Sequence, residues 1–398
     1  MDYLFNKTWW NNILLFAFSI IFPSVTIFKK LPLAWLFIYI AGTLITIILL
    51  FIWIIPFLSK WLTPKKCWII AVILLLLVAI THLIIHPIID TAGFSLLGIK
   101  FGASDCDNAI DVGLHALNSG NYPYYQRTFL NYPITPMPGA LLLALPFYIL
   151  GDSAFQNVVW YAVFWILIWR ITLDIRIASL IIGIISFLSP NVIYHICTGT
   201  DYLANSIYVL LAMVFLMNSF DRKVQTIVTA SIFLGIALAS RPNWLLLLPI
   251  PFFYIAYRAN YWRAIKIFAI ITISFCVLVL PFYFYDPSHF SPFYVSHFLT
   301  IGKKFPHADV LIVFFGGCLS IILGFIYKNK SLESQIRSSF FVQAFVIICG
   351  FILASVAEGR VNLYYSHFGI LFMSFGVFAS GPHLINEALK RGSIKSAT

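Results

Sequence analysis

The chain has 398 residues, of which 61% are hydrophobic and only 10% charged, and its mean hydropathy is +0.94. That composition excludes a soluble globule. The net charge of +11 does not call for a nucleic-acid partner, because most of the excess lies in short connections between apolar runs, where it sets membrane topology and meets anionic headgroups.

Ala34 to Leu58 runs 25 residues without a charge and Trp68 to Ile89 runs 22. Each exceeds the roughly 20 residues needed to cross about 30 Å of hydrocarbon. In lipid the backbone must satisfy its own hydrogen bonds, which segments so uniformly apolar do as α-helices. A β-barrel would instead show alternating segments of about ten residues. The chain therefore reads as an all-α, polytopic membrane protein. Spans are expected near 12–28, 34–58, 68–89, 155–172, 177–192, 203–219, 225–240, 244–257, 264–285, 309–327, 338–357 and 363–382, about twelve in all. Pro136 to Leu150 is apolar but short, and with Pro138, Gly139 and Pro146 it suits a half-inserted or interfacial helix.

With that segment non-spanning, 17 of the 25 basic residues fall on one face, which the positive-inside rule makes cytoplasmic. Lys29 and Lys30 are the exceptions, so the first two spans fit the rule least well. No signal peptide, internal repeat or soluble domain is expected. The six cysteines show no metal-ligand spacing and read as helix filler rather than disulfides.

Polar material concentrates in the opposite-facing loops at 91–135, 193–202, 286–308 and 358–362. Three of the fourteen acidic residues, Asp105, Asp107 and Asp111, lie within seven positions of the first of them. Carboxylates at a membrane surface are costly to desolvate, and a long loop between spans is more often functional than a tether. The chemistry is expected there.

Asp105, then Ala116-Leu117-Asn118-Ser119-Gly120-Asn121-Tyr122-Pro123-Tyr124, then Tyr132-Pro133-Ile134-Thr135-Pro136-Met137-Pro138-Gly139, resembles the first outer loop of the GT-C membrane glycosyltransferases. These include polyprenyl-phosphate-sugar-dependent mannosyl-, arabinosyl- and aminoarabinosyltransferases. Pro190 followed by Gly199-Thr200-Asp201-Tyr202-Leu203 is similar to the family's second outer loop. Gly235 to Pro242, with Arg241, looks like its "G…K/R-P" motif. The resemblance covers roughly residues 68–260. It departs from the family at Tyr132-Pro133-Ile134, which lacks the second consecutive Pro. It also leaves 1–66 as two additional N-terminal helices before a core at 67–398, whose outer loop is 90–136.

The resemblance implies a GT-C-like fold whose long first outer loop carries short amphipathic helices. It implies inverting transfer of a sugar from a polyprenyl-phosphate donor to a glycan, lipid or protein acceptor on the non-cytoplasmic face. A bacterial inner membrane is the expected setting. The resemblance fixes no definite cofactor and leaves room for a divalent cation, which the family's acidic pair sometimes carries; no metal-ligand set is assigned. Asp105 is the first choice for general base and Asp107 the second, since a positioned carboxylate typically contributes ~10²–10⁴-fold. Cations near the leaving phosphate supply the larger electrostatic effect. The candidates are Arg241, Arg360, Lys303 and Lys304, with Arg241 favoured for its planar fork.

Plainer readings stand beside these. Asp105 and Asp201 both suit helix N-caps, and Asp201 equally suits substrate binding. Asp107, Asp111 and His115 form a solvated stripe more readily than a metal site. Arg360 can pair with Glu358, and Lys303-Lys304 can meet headgroups. Tyr122 and Tyr124 suit sugar stacking, but interfacial anchoring is the commoner reason for such residues. His82 and His86 sit inside a span, where structural hydrogen bonds are the default. The rival function is a transporter or flippase for a lipid-linked or anionic solute, which predicts internal repeats and broken helices lined by polar groups.

Overall fold

The computed structural model describes residues 7–92, 94–96, 99–101, 105–294, 302 and 304–394. Among the described residues the regular structure is helical apart from a short antiparallel hairpin, β1 (Phe94–Leu96) with β2 (Ile99–Phe101). Its helices are α1 (Lys7–Ser24), α2 (Leu33–Leu58, with a π-helical turn at Leu50–Ile54), α3 (Pro64–Ala92), α4 (Cys106–Asn118), α5 (Pro138–Ile149), α6 (Gln156–Thr172), α7 (Ile175–Leu188) and α8 (Pro190–Cys197). They continue as α9 (Tyr202–Met217), α10 (Val224–Leu238), α11 (Pro249–Arg258), α12 (Tyr261–Tyr285), α13 (Ala308–Tyr327), α14 (Leu332–Glu358) and α15 (Ile370–Ile394).

Among the described residues, eight helices are long and apolar enough to cross a membrane: Lys7–Lys30, Leu33–Leu58, Pro64–Ile89, Ser153–Thr172, Tyr261–Tyr285, Ala308–Tyr327, Leu332–Glu358 and Leu363–Gly392. The protein is thus a multi-pass membrane protein by its helices. The remaining expected spans take other forms. Those near 203–219 and 225–240 are helices of 16 and 15 residues, shorter than a full crossing. The span near 177–192 is α7 joined to α8 with an 84° bend. Its cause is local: Pro190 disfavours helical backbone at Ser189, which adopts φ −112°, ψ 85°. The span near 244–257 is divided by Pro249 into a 3₁₀ segment, Pro242–Leu247, and α11.

Burial separates centre from periphery. Leu363–Gly392 has 83% of its apolar window inside the protein, whereas Pro64–Ile89, Tyr261–Tyr285 and Ala308–Tyr327 have 17% each and turn most of their surface outward. The N-terminal α1 belongs to the centre. Trp9, Ile13, Phe16 and Ile20 recur at helical spacing, are fully buried, and join the core shared by α6–α11, α14 and α15. Small residues let α1 and α15 approach closely, since a β-carbon at Gly376 would collide with the Ser19 hydroxyl.

Contacts between the segments gather the connections at two ends. At one end Arg391 stands 5.1 Å from the Trp9 ring and Asp174 pairs with Arg176. The other end collects the segments 25–32, 105–155, 198–201, 239–248, 286–294 and 359–369. Lys29 belongs to this second end, 4.6 Å above the Tyr364 ring, which is why it breaks the charge pattern. All six cysteines are free thiols.

Candidate functional site

The acidic helix α4 is amphipathic. Ile110, Leu114 and Leu117 form its apolar stripe and pack on Leu141, Ala144 and Tyr148 of α5. Its C-terminus closes at Gly120, whose φ of +74° suits a residue without a β-carbon, and Asn121 N–H returns to the Ala116 carbonyl at 2.8 Å. The start of α5 is fastened to the end of α10: Met137 N–H donates to Ser240 O (3.1 Å) and Gly139 N–H to Ala239 O (2.8 Å). Only glycine fits at 139, where a β-carbon would strike the Ile236 and Ala239 carbonyls. This seam sets the first loop beside Arg241.

Asp105 occupies the N-cap position of α4 but does not cap it with its side chain. Its carboxylate instead accepts from the Thr128 hydroxyl at 2.5 Å, and Thr128 Oγ1 accepts from Tyr132 N–H at 3.1 Å. Asn108 Oδ1 takes the Phe129 N–H at 3.0 Å, so the 128–132 turn is folded over the start of the helix. Asp105 is half-buried; Asp107 is buried, with 3% exposure.

Asp107 faces a pair of histidines. His82 and His86, one turn apart on α3, stack at 4.8 Å with 13° between their planes. Their Nδ1 atoms meet the Ile196 and Cys197 carbonyls at 2.8 and 3.0 Å, the last carbonyls of α8, which a helix terminus leaves without internal partners. A carbonyl only accepts, so each Nδ1 carries the hydrogen and each Nε2 remains for proton exchange. The structural role expected of these histidines is present at Nδ1.

At the other nitrogen, His86 Nε2 lies 3.3 Å from Asp107 Oδ2 and 3.6 Å from Asp152 Oδ2, while His82 Nε2 lies 3.7 Å from the same Asp152 oxygen. Asp152 was not singled out in the sequence. Burial alone would raise its carboxyl pKa. The two imidazoles and the Ala154 N–H, 2.8 Å from Oδ1, outweigh that and hold it below the ordinary range.

Asp201 precedes α9 and likewise does not cap it with its side chain. Its oxygens lie 2.6 and 2.8 Å from Arg241 Nη2, and Asn205 Nδ2 donates to Oδ2 at 2.7 Å. Tyr208 donates in turn to Asn205 Oδ1. The pair is buried, at 1% and 12% side-chain exposure. Arg241 therefore meets a carboxylate that offsets its charge, while its buried Nε has no hydrogen-bond partner among the described residues. The guanidinium also sits 4.3 Å over the Tyr202 ring. The Tyr202 ring stands 5.8 Å from the His367 ring and 5.4 Å from the Phe368 ring, and Gly199, just before Asp201, lies against Asp107. The start of α4, the Asp201–Arg241 pair and the 363–369 segment thus converge.

Other expected residues lie apart from this convergence or hold different partners. Arg360 pairs with Glu358 at 3.3 Å and is 80% exposed. Lys304 donates to the Ala357 carbonyl, and Lys303 lies outside the described residues. Tyr122 and Tyr124 are buried, with hydroxyls donating to Phe282 O (2.7 Å) and Pro136 O (3.1 Å), so their rings and hydroxyls fasten the loop to α12 and to itself. Asp111 and His115 line a separate open hollow of about 510 Å³ with Ser119, Asn121, Gln126 and Tyr148. Among the described residues no group of three or more His, Cys, Asp or Glu is disposed to hold a metal ion.

Lys29 and Asp152 are the residues at this end that sequence reasoning passed over. For Lys29 the signal was its violation of the positive-inside rule; Asp152 carried no motif.

No protein-family model, curated protein or solved structure matches this chain.

Proposed function

We propose that the protein is a membrane glycosyltransferase, moving a sugar from a polyprenyl-phosphate donor to an acceptor hydroxyl, with the Asp105 end on the non-cytoplasmic side. The observation that carries this reading is that the acidic helix start lies against the segment that ends in the Asp–Arg pair: Gly199 abuts Asp107, and Asp201, two residues on, is bonded to Arg241. Such a transfer needs a base at the acceptor and positive charge at the departing phosphate, and the two stand at one end of the bundle.

The environments favour reversing the roles of the two carboxylates. Asp105 Oδ2 is engaged by Thr128, which suits holding the acceptor hydroxyl. Asp107 abuts an imidazole able to take a proton onward, which suits the base. In the step, the acceptor O–H bond breaks, its proton goes to Asp107 and its oxygen bonds to the sugar C1. The C1–O bond to phosphate breaks, with the electron pair leaving on the phosphate. The donor phosphate would displace Asp201 from Arg241. The 198–201 segment, whose Gly199 covers Asp107, would move with it and open the base to the acceptor.

The test is transfer of labelled sugar in proteoliposomes from a panel of polyprenyl-phosphate donors. Product with at least one donor, abolished by Asp107→Asn and reduced by Asp105→Asn and Arg241→Gln, is expected. No product with any donor, or full activity in both aspartate variants, would remove the assignment.

One observation favours a second reading, a transporter or flippase. The α7–α8 break is followed by Asn191 and His195, both fully buried, whose side-chain nitrogens and oxygen have no hydrogen-bond partner among the described residues. Movement of an intact lipid-linked sugar across the vesicle membrane, without covalent product, would establish that reading instead.

A further inference from the structure

The bond changes of the transfer step end with the proton on Asp107, and the geometry of the buried histidines and Asp152 continues from there. We infer that Asp107, His86 and Asp152 form an exit path carrying the acceptor's proton from the buried base to water. The inference rests on the transferase reading above.

Asp107 is 3% exposed, so a proton it accepts has no direct route to bulk water. Its Oδ2 is 3.3 Å from His86 Nε2, and the same nitrogen is 3.6 Å from Asp152 Oδ2. Asp152 is the member that reaches solvent, with 42% of its side chain exposed. The order from buried carboxylate through imidazole to open carboxylate is a gradient of access.

The proton balance closes at each station. His86 keeps its Nδ1 hydrogen on the Cys197 carbonyl, so the Nε2 lone pair receives the proton from the Asp107 carboxyl. The resulting imidazolium keeps Nδ1 on the Cys197 carbonyl, with a carboxylate oxygen of Asp107 3.3 Å and one of Asp152 3.6 Å from Nε2. Its Nε2 proton then passes to Asp152 Oδ2 and from there to water, returning His86 to the neutral form and Asp107 to the carboxylate. His82 acts as a positioning residue: it stacks on His86, holds the Ile196 carbonyl, and lies 3.7 Å from the receiving oxygen. The groups facing His86 are Asp107 from α4, Asp152 from the α5–α6 connection, the Cys197 carbonyl from α8, and His82 on its own helix.

The experiment is turnover in proteoliposomes at low and high concentrations of a small diffusible buffer, imidazole, for wild type, Asp152→Asn and His86→Gln. Asparagine retains the N-cap bond to Ala154, and glutamine retains a donor for Cys197, so both variants keep the local fold; an unchanged thermal midpoint checks this. Asp152→Asn is expected to lower kcat roughly 10-fold or more with donor KM unchanged, and imidazole to restore most of it. His86→Gln is expected to show the same loss and rescue. An Asp152→Asn protein that turns over like wild type, or whose loss appears in KM and ignores imidazole, overturns the relay alone. A wild type silent with every donor overturns the transferase reading and the relay together.

Discussion

Gly199 lies directly over Asp107: a β-carbon built on the glycine would stand 2.8 Å from the Asp107 Cβ and 2.6 Å from the Ala154 Cβ. Two segments nearly a hundred residues apart are held against each other by the absence of a side chain. Gly199 also has φ +68°, a conformation that L side chains rarely adopt. Gly199→Ala therefore meets a backbone penalty of about 1 kcal/mol, to which the steric displacement of Asp107 adds. The expected outcome is a lowered thermal midpoint in detergent and loss of transfer together. A variant with wild-type stability and activity would show that the segment yields without consequence.

The Asp201–Arg241 pair invites a double-mutant cycle. Both side chains are buried, so removing either leaves an uncompensated charge, at a cost of about 3–5 kcal/mol. Asp201→Ala and Arg241→Ala should each destabilise strongly, and the double variant should recover part of the loss, since no lone charge then remains. Unfolding monitored by tryptophan fluorescence reads the cycle. Simple additivity would mean that the two groups do not depend on each other.

Hydropathy and charge made much of this architecture legible, because the membrane imposes long helices and the loops must carry the remaining polarity. Asp105, Asp107, Asp201 and Arg241 stood out as charges beside apolar runs; in the structure Asp201 pairs with Arg241, and Gly199, two residues before it, lies against Asp107. The bend after Leu188 was missed because an apolar run of span length masks a break that a single proline imposes. His82 and His86 were read through their chain neighbours, which accounts for Nδ1; the carboxylates at Nε2 come from segments 20 to 70 residues away. Tyr122 and Tyr124 illustrate the reverse limit: a tyrosine able to stack on a sugar is indistinguishable in sequence from one whose hydroxyl holds a backbone carbonyl.

Asp286 supplies a pH dependence of known sign. Bonds from Ser288 first, and then from Tyr125 and His289, hold its carboxyl at about 2. The ordinary unfolded value is about 4. A depressed folded-state pKa contributes stability that is present above about pH 4 and is lost as pH falls toward 2. The 286–294 segment should therefore become sensitive to an acid protease such as pepsin across that window, and Asp286→Asn should be sensitive throughout. The group is half-buried at the protein's edge, bonded only to its own segment and to Tyr125, so the effect belongs to the segment rather than to global stability. Equal cleavage of wild type and variant at pH 5 would contradict the assignment.

If the proposed transfer holds, Lys29 would separate donor capture from chemistry. Arg241 is matched by Asp201 in the resting state, so an approaching lipid phosphate first meets whatever positive charge stands at the rim. Lys29 is exposed, lies 4.6 Å from the Tyr364 ring, and its segment packs against 363–369, close to the start of α4. A solvated charge of this kind attracts its ligand without changing its interaction as the transition state forms, so removing it weakens binding uniformly. Lys29→Gln should accordingly raise the donor KM several-fold with kcat unchanged, and the difference from wild type should shrink as salt is raised to about 1 M, where screening acts over roughly 3 Å. Arg241→Gln should lower kcat as well, because in the proposed transfer that guanidinium would meet charge developing on the departing phosphate. Matching kinetics in the two variants would mean that the rim lysine and the buried arginine do not divide capture and chemistry between them.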